Sequence, residues 1–205
     1  MQSNESVVAI VLAGGRGKRL GIPKAELMFL GEPLIQRVAV RLQEIAERIV
    51  VVAASGQIIA IQATGGVSLI HDSREDRGPL AGLHEALQML DGGLAIAVGC
   101  DMPFIDVSVI QRQIDLLEDH DAVVPILDGY PQSLHAVYRV ARLHTALSLL
   151  DQGERSLRGL LAAMNVRYLQ ESEWLAFCPD RTTFMNINTP ADLERATRLA
   201  NGTPP

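Results

Sequence analysis

The sequence predicts an α/β fold in which helices pack on both faces of a mostly parallel, doubly wound sheet. Residues 7–12 form an unbroken apolar run rich in β-branched side chains, which is typical of a strand buried on both faces. After Pro33, apolar residues recur at three- and four-residue spacing, which indicates an amphipathic helix. Strand and helix patterns then alternate along the chain, as they do in doubly wound sheets.

The same two patterns assign the remaining elements in order. After the first strand, we predict strands at 49–54, 67–70, 94–98, 122–127, 134–140 and 166–169. We predict helices at 33–46, 79–90, 107–117, 143–150, 157–164 and 190–200, the last of them capped by Thr189. No repeat, linker or low-complexity tract interrupts this series. We therefore expect a single domain over residues 1–205, with an ordered core at about 6–200.

Composition excludes several function classes. The chain of 205 residues has a formal net charge of -6 and few aromatic residues (four Phe, three Tyr and one Trp), so no nucleic-acid partner is expected. The longest strictly apolar run, residues 7–13, is far shorter than the roughly 20 residues that cross a bilayer, so no membrane partner is expected. Cys100 and Cys178 fit no metal-binding spacing, and we expect reduced thiols in a cytoplasmic protein.

The segment that follows the first strand has the composition of a phosphate-binding loop. Residues 12–24 contain four glycines and four basic residues. Ligands of open parallel sheets bind beyond the carboxyl ends of the strands, where glycine amides approach an anion closely. The segment matches neither G-x-x-x-x-G-K-[ST] nor G-x-G-x-x-G, so two common nucleotide-binding folds are disfavoured. The alternative is a surface turn with solvated basic side chains.

Two carboxylates follow other predicted strands. Asp101 comes after the strand at 94–98, and Asp72 follows the strand at 67–70. Mg²⁺ prefers one or two carboxylates together with water and phosphate oxygens, so Asp101 is a candidate metal ligand. The alternatives are that Asp101 caps the helix starting near Asp106 or pairs with a basic residue, and that Asp72 caps a helix or turn.

Together these segments resemble the molybdenum cofactor guanylyltransferases, within a nucleotidyltransferase fold that also includes sugar-nucleotide pyrophosphorylases and molybdopterin cytidylyltransferases. The matching segments, in chain order, are 12–15 with Arg19 and Lys24, 31–34, 72–73, 78–83, 100–103 and 186–190. The resemblance implies a Rossmann-like sheet of the nucleotide-diphospho-sugar transferase type. Leu-Ala-Gly-Gly at 12–15 favours guanine over cytosine, whereas Ala53 stands where the family usually carries an asparagine.

The resemblance also implies roles for individual residues. Lys24, Arg19 and Asp101 would be the catalytic residues, with Asp101 binding Mg²⁺ and the two cations binding phosphates. The nucleotide-binding residues would be Leu12, Ala13, Gly14, Gly15, Lys24, Asp72 and Asp101, and the further pocket candidates are Pro79, Leu80, His135, Asn186 and Asn188. For His135 the alternative is a histidine satisfied inside the core.

The implied reaction is attack by the terminal phosphate of molybdopterin on the α-phosphorus of GTP. Its products are molybdopterin guanine dinucleotide and pyrophosphate, and the molybdenum-insertion enzyme is an expected partner in handing over the acceptor. A phosphate nucleophile is largely ionised at neutral pH, so no general base is required. The alternatives are a cytidylyl- or sugar-nucleotidyltransferase on the same fold, or a nucleotide-binding module without transfer activity.

Overall fold

The computed structural model describes residues 5–14, 20–61, 66–72, 78–148 and 156–202. Its strands are β1 Val7–Leu12, β2 Met28–Phe29, β3 Glu32–Pro33, β4 Arg48–Ala54, β5 Val67–Asp72, β6 Leu94–Gly99, β7 Ala122–Leu127, β8 Tyr130–Pro131, β9 His135–Arg139 and β10 Val166–Leu169. Its helices are α1 Leu34–Leu42, α2 Pro79–Leu87, α3 Val107–Asp115, α4 Val140–Leu147, α5 Leu157–Ala162, α6 Glu171–Trp174 and α7 Pro190–Ala200. Short 3₁₀ turns cover Lys24–Glu26 and Thr182–Phe184.

The main sheet has eight strands in the order β10-β7-β9-β6-β1-β4-β5, with β8 paired to β7. Strands β5, β4, β1 and β6 run parallel to one another, whereas β9 is antiparallel to both β6 and β7. The prediction of a mostly parallel sheet is confirmed. The chain leaves β1 toward β4 and β5 and later returns to place β6 on the other side of β1. The carboxyl edge beside β1 and β6 is therefore a topological switch point, where such sheets bind ligands.

The predicted elements are present, but several of their ends differ. Helix α1 starts after Pro33 and ends at Leu42, four residues before the predicted end, and α2 and α3 also stop early. The early ends of α2 and α3 are explained by Leu90 and Leu117. Both side chains are buried, but the backbone amide of each residue donates to the carbonyl three residues earlier, as in a turn. Periodicity reports which side chains are buried, and a buried turn after a helix extends the pattern. The short elements β2, β3, β8 and α6 were not predicted.

Alternating residues of β1 supply the two faces of the core. Ala9 and Val11 pack with α1 and α3, whereas Val8 and Ile10 pack with α2 and α4. A third, smaller cluster joins the β2–β3 hairpin and the start of α1 to Ile187 and to α7. This third cluster brings the C-terminal segment next to the loop that follows β1. No helix in the described ranges is long and apolar enough to cross a membrane.

Candidate functional site

A cavity of about 810 Å³ opens at the carboxyl edge of the sheet. Each of four neighbouring strands contributes to its lining: Leu12 and Gly14 from the end of β1, Ala54 from β4, Asp72 from β5 and Asp101 from the turn after β6. The cavity lies at the switch point of the sheet, in agreement with the rule for ligand sites in open α/β folds. Its volume is within the usual range for small-molecule sites.

Three side chains from distant parts of the chain meet at this cavity. The Nζ atom of Lys24 donates to Asp101 Oδ2 at 2.5 Å and to Asn188 Oδ1 at 2.6 Å. The ion pair is only partly exposed, at 22% for the lysine side chain and 11% for the aspartate. The first alternative considered for Asp101, capping α3, is not observed, because Asp106 accepts from the amide of Ser108 at 2.8 Å. Pairing of Asp101 with a basic residue is observed.

Backbone contacts fix Asp101 in place. The amide of Cys100 donates to Leu12 O at 3.1 Å, which ties the turn to β1, and the amide of Ile187 donates to Asp101 O at 2.9 Å. A Cβ atom at Gly99 would lie 2.5 Å from Asp101 Oδ1, so the carboxylate turns back over a position that has no side chain.

Both cysteines are free and buried. Burial raises the pKa of the Cys100 thiol to about 12, so this thiol stays protonated.

The N-terminus of α7 fixes Asn188. Asp192 Oδ2 accepts from the amides of Asn188 at 3.0 Å and Thr189 at 2.8 Å, while Thr189 Oγ1 accepts from the amide of Asp192 at 3.2 Å. This reciprocal arrangement is a capping box, and Thr189 is the predicted cap. Asn186 also lines the cavity, and its Nδ2 atom donates to Phe184 O at 3.0 Å.

The structure brings together most of the predicted site residues. Those that line the cavity are Leu12, Gly14, Lys24, Asp72, Pro79, Asp101 and Asn186. Asn188 accepts a hydrogen bond from Lys24, which lines the cavity. Asp72 is the last residue of β5, whereas the sequence predicted it just beyond that strand. The reason is that β5 keeps pairing with β4 through His71 and Asp72, up to the edge of the cavity. Gly15 and Arg19, with Arg16 and Lys18, lie outside the described residues.

Ala13, Leu80 and His135 do not line the cavity, and all three are fully buried. Ala13 donates its amide to Val52 O at 2.8 Å, which continues the sheet ladder. Leu80 belongs to the core beneath α2. The side chains of these three residues are therefore core positions in this structure, and the binding roles assigned to them stay predictions.

His135 is bonded inside the protein. Its Nδ1 atom lies 3.3 Å from Gln113 Nε2, and its Nε2 atom lies 2.7 Å from Thr183 Oγ1. Because an amide nitrogen only donates, Nδ1 accepts from Gln113 and the ring carries its proton on Nε2. Burial lowers the pKa of His135 to about 4, so the ring is neutral at physiological pH.

Comparison with known proteins identifies the family. The model of the MobA-like NTP transferase domain matches residues 9–179. The molybdenum cofactor guanylyltransferase of Desulfosudis oleivorans is 33% identical over 195 residues, covering 94% of this chain and 95% of that protein. A probable molybdenum cofactor guanylyltransferase of Bacillus cytotoxicus is 32% identical over 190 residues, covering 90% and 93%. The chain belongs to the molybdenum cofactor guanylyltransferase family.

A solved structure of the same family has the same fold. The molybdopterin-guanine dinucleotide biosynthesis protein A of Archaeoglobus fulgidus superimposes with a TM-score of 0.79 at 30% identity, covering 96% of this chain and 100% of that one. The agreement confirms the predicted Rossmann-like nucleotidyltransferase fold. As a member of this family, the chain is a nucleotidyltransferase.

Part of the cavity wall was not predicted from the sequence. Ser55 and Gln57, in the turn after β4, line the cavity, and so do Pro23, Glu26 and Leu134. A signal was available for the first two, because the Ser-Gly break at 55–56 directly follows a predicted strand. Ala53 lies in β4, also lines the cavity and is only 1% exposed, so it offers no polar side chain to a ligand.

Proposed function

We propose that this protein transfers GMP from GTP to the terminal phosphate of molybdopterin, forming molybdopterin guanine dinucleotide and pyrophosphate. The observation that carries the proposal is the meeting of Lys24, Asp101 and Asn188 at the cavity, because the lysine suits the phosphates of a nucleotide and the aspartate suits a cation that accompanies them. The relatives named as molybdenum cofactor guanylyltransferases support a guanine nucleotide and the molybdenum cofactor as the substrates.

In the proposed reaction, an oxygen of the acceptor phosphate forms a bond to the α-phosphorus of GTP. The bond from that phosphorus to the β-phosphate oxygen breaks, and its electron pair leaves with pyrophosphate. The acceptor phosphate is already largely ionised, so the site needs to position charges rather than to remove a proton. Lys24 has three donor hydrogens, of which Asp101 and Asn188 use two, and Lys24 stabilises the charge on the phosphates.

The donor set fits a divalent cation that arrives with the nucleotide. Three carboxylates, from Glu26, Asp72 and Asp101, line the cavity, and Lys24 is the one cation among its described lining residues. A triphosphate would face these carboxylates without enough positive charge. The described residues contain no group of three or more His, Cys, Asp or Glu that could hold a metal alone. Mg²⁺ accepts one carboxylate with water and phosphate oxygens, so Asp101 would hold it, and bound Mg²⁺ would neutralise phosphate charge.

Several finer assignments are part of the same proposal. Arg19 and the amides of Gly14 and Gly15 bind the triphosphate, and Asp72 contacts the nucleotide. The protein acts in the cytoplasm as a single domain and receives its acceptor from the molybdenum-insertion enzyme. These assignments stay predictions, and the last is open to a direct binding measurement with that enzyme.

The test compares the wild type with Asp101→Asn, which keeps the size of the side chain and removes its charge. We expect formation of the dinucleotide from GTP and molybdopterin with Mg²⁺ to fall at least about a hundredfold, because charge stabilisation at the phosphates is lost. Asp115→Asn, the same change at an exposed position of α3, is the matched control and should leave the rate unchanged.

Two results would contradict the proposal. Normal turnover by Asp101→Asn would remove the metal and charge role from this residue. Transfer by the wild type from CTP but not from GTP would make the protein a cytidylyltransferase. Thermal unfolding of each variant without ligand checks that a lost rate does not come from a lost fold.

A further inference from the structure

The turn after β4, residues 55–58, forms the wall of the cavity away from Lys24 and Asp101. Strands of a sheet lie about 4.8 Å apart, and β4 is two strands from β6, so this turn is about 10 Å along the sheet edge from the strand that precedes Asp101. Lys24 and this turn line the same cavity, so a nucleotide with its phosphates at Lys24 has room to place its base beside the turn. The wall beside it is apolar and comes from Val52, Ala53 and Pro79.

Gln57 is the longest polar side chain of this turn, and hydrogen bonds hold it in place. The backbone amide of Gln57 donates to Ala54 O at 3.0 Å, and the side-chain Oε1 atom accepts from the backbone amide of Ala54 at 3.2 Å. Its backbone oxygen accepts from Nε2 of His71 at 3.1 Å. Both ends of the residue are therefore tied to the ends of β4 and β5, and little conformational freedom is lost when a ligand binds.

These bonds also decide which polar group Gln57 presents. A backbone amide can only donate, so the side-chain atom facing Ala54 is the carbonyl oxygen, and the NH₂ group is the other end of the side-chain amide. Within the described chain, no group accepts from this Nε2 atom, while Gln57 lines the cavity. The turn therefore offers a ligand the two donor hydrogens of Gln57, while its Oε1 atom is directed at the amide of Ala54.

We propose that the NH₂ group of Gln57 binds the O6 and N7 edge of guanine and thereby selects GTP over ATP. Guanine and adenine share the N7 acceptor on this edge, but guanine adds the O6 acceptor whereas adenine carries a donor amine at position 6, and cytosine carries a donor amine at its corresponding edge. A fixed donor facing a donor amine leaves both groups unpaired, which penalises the wrong base. This assignment rests on the proposed use of GTP and names the residue that reads the base.

The test is the ratio of the dissociation constants for ATP and GTP, measured by calorimetry with Mg²⁺ on the whole protein. In Gln57→Glu the carboxylate still accepts from Ala54 but no longer donates, so we expect the preference for GTP to fall about tenfold. The ratio is used because the added charge weakens binding of both triphosphates. Gln88→Glu carries the same charge change at the exposed C-terminal end of α2 and should keep the wild-type ratio.

A second variant and a second ligand keep the outcome clear. Gln57→Met removes the donor without adding charge and should also lose the preference. The triphosphate of 2,6-diaminopurine, with an amine in place of O6, should bind the wild type less tightly than GTP and should lose that disadvantage in Gln57→Glu. A ratio within twofold of the wild type in both Gln57 variants would overturn the assignment while leaving GTP as the substrate. Absence of any preference for GTP in the wild type would overturn the proposed substrate and this inference together.

Discussion

Acidification should destabilise this protein through one buried histidine. His135 accepts at Nδ1 from the side-chain amide of Gln113 and donates from Nε2 to Thr183 Oγ1. Protonation would place a hydrogen on Nδ1 facing another donor, in a site without solvent. Burial holds the pKa of His135 at about 4, below its usual value near 6.5.

The direction and the size of the change in unfolding free energy follow from this difference between the two pKa values. The unfolded chain takes up the proton near pH 6.5, while the folded protein resists it until about pH 4, so stability falls as the pH drops through this window. At pH 7 the effect is nearly absent. The value pH 5 is about 1.5 units below the pKa of this histidine in the unfolded chain. Protonation of the unfolded chain therefore lowers the free energy of unfolding by about 2 kcal/mol.

Urea unfolding at pH 7 and pH 5 measures this loss. The wild type should lose about 2 kcal/mol more between the two values than His135→Gln, which has no titrating group at this position. His144→Gln removes an exposed histidine and should behave like the wild type. A difference below about 0.5 kcal/mol between the wild type and His135→Gln would refute the reasoning, because it would mean that the folded ring is protonated as easily as the unfolded one.

Two further predictions concern the site and the helix that supports it. In Gly99→Ala the new methyl group would lie 2.5 Å from Asp101 Oδ1, so the carboxylate must rotate. We expect the transfer rate to fall more than tenfold with only a small change in melting temperature, and an unchanged rate would show that this orientation of Asp101 is not needed. In Thr189→Ala the N-cap of α7 loses its acceptor, and urea unfolding should show a loss of about 1 kcal/mol. A loss of less than about 0.3 kcal/mol would mean that water replaces the cap.

Much of the fold could be predicted because burial in a parallel sheet leaves a strong signal. The bounds of β1 match the apolar run at 7–12, and those of β7 and β10 also match the prediction. The antiparallel direction of β9 could not be predicted in the same way, since its apolar run carries no information about strand direction. The two-residue strands are held by a hairpin and by tertiary contacts, and elements of that length have no periodicity to detect.

The location of the cavity could be predicted from the sequence, but the residues that line it could be predicted only in part. Lys24, Asp72 and Asp101 were found because each is charged and lies near the end of a strand, where ligands of such sheets bind. Gln57 was missed because its role depends on a hydrogen bond to Ala54 that orients its amide, and such an orientation is a property of the folded turn. For His135, the residue type alone fits a core position and a binding site equally well, and only the contacts decide.

The contact between Lys24, Asp101 and Asn188 joins residues that are far apart in the sequence. The lysine is separated by 77 residues from the aspartate and by 164 from the asparagine. They meet because β1 and β6 are neighbours in the sheet and because the third core cluster holds the start of α7 against the β2–β3 hairpin. In the free protein, the positive charge of Lys24 is balanced by Asp101, in a chain whose net charge is -6. We therefore expect a triphosphate to gain little from Lys24 alone, and a cation held by Asp101, as proposed above, would attract the phosphates and free the lysine to bind them.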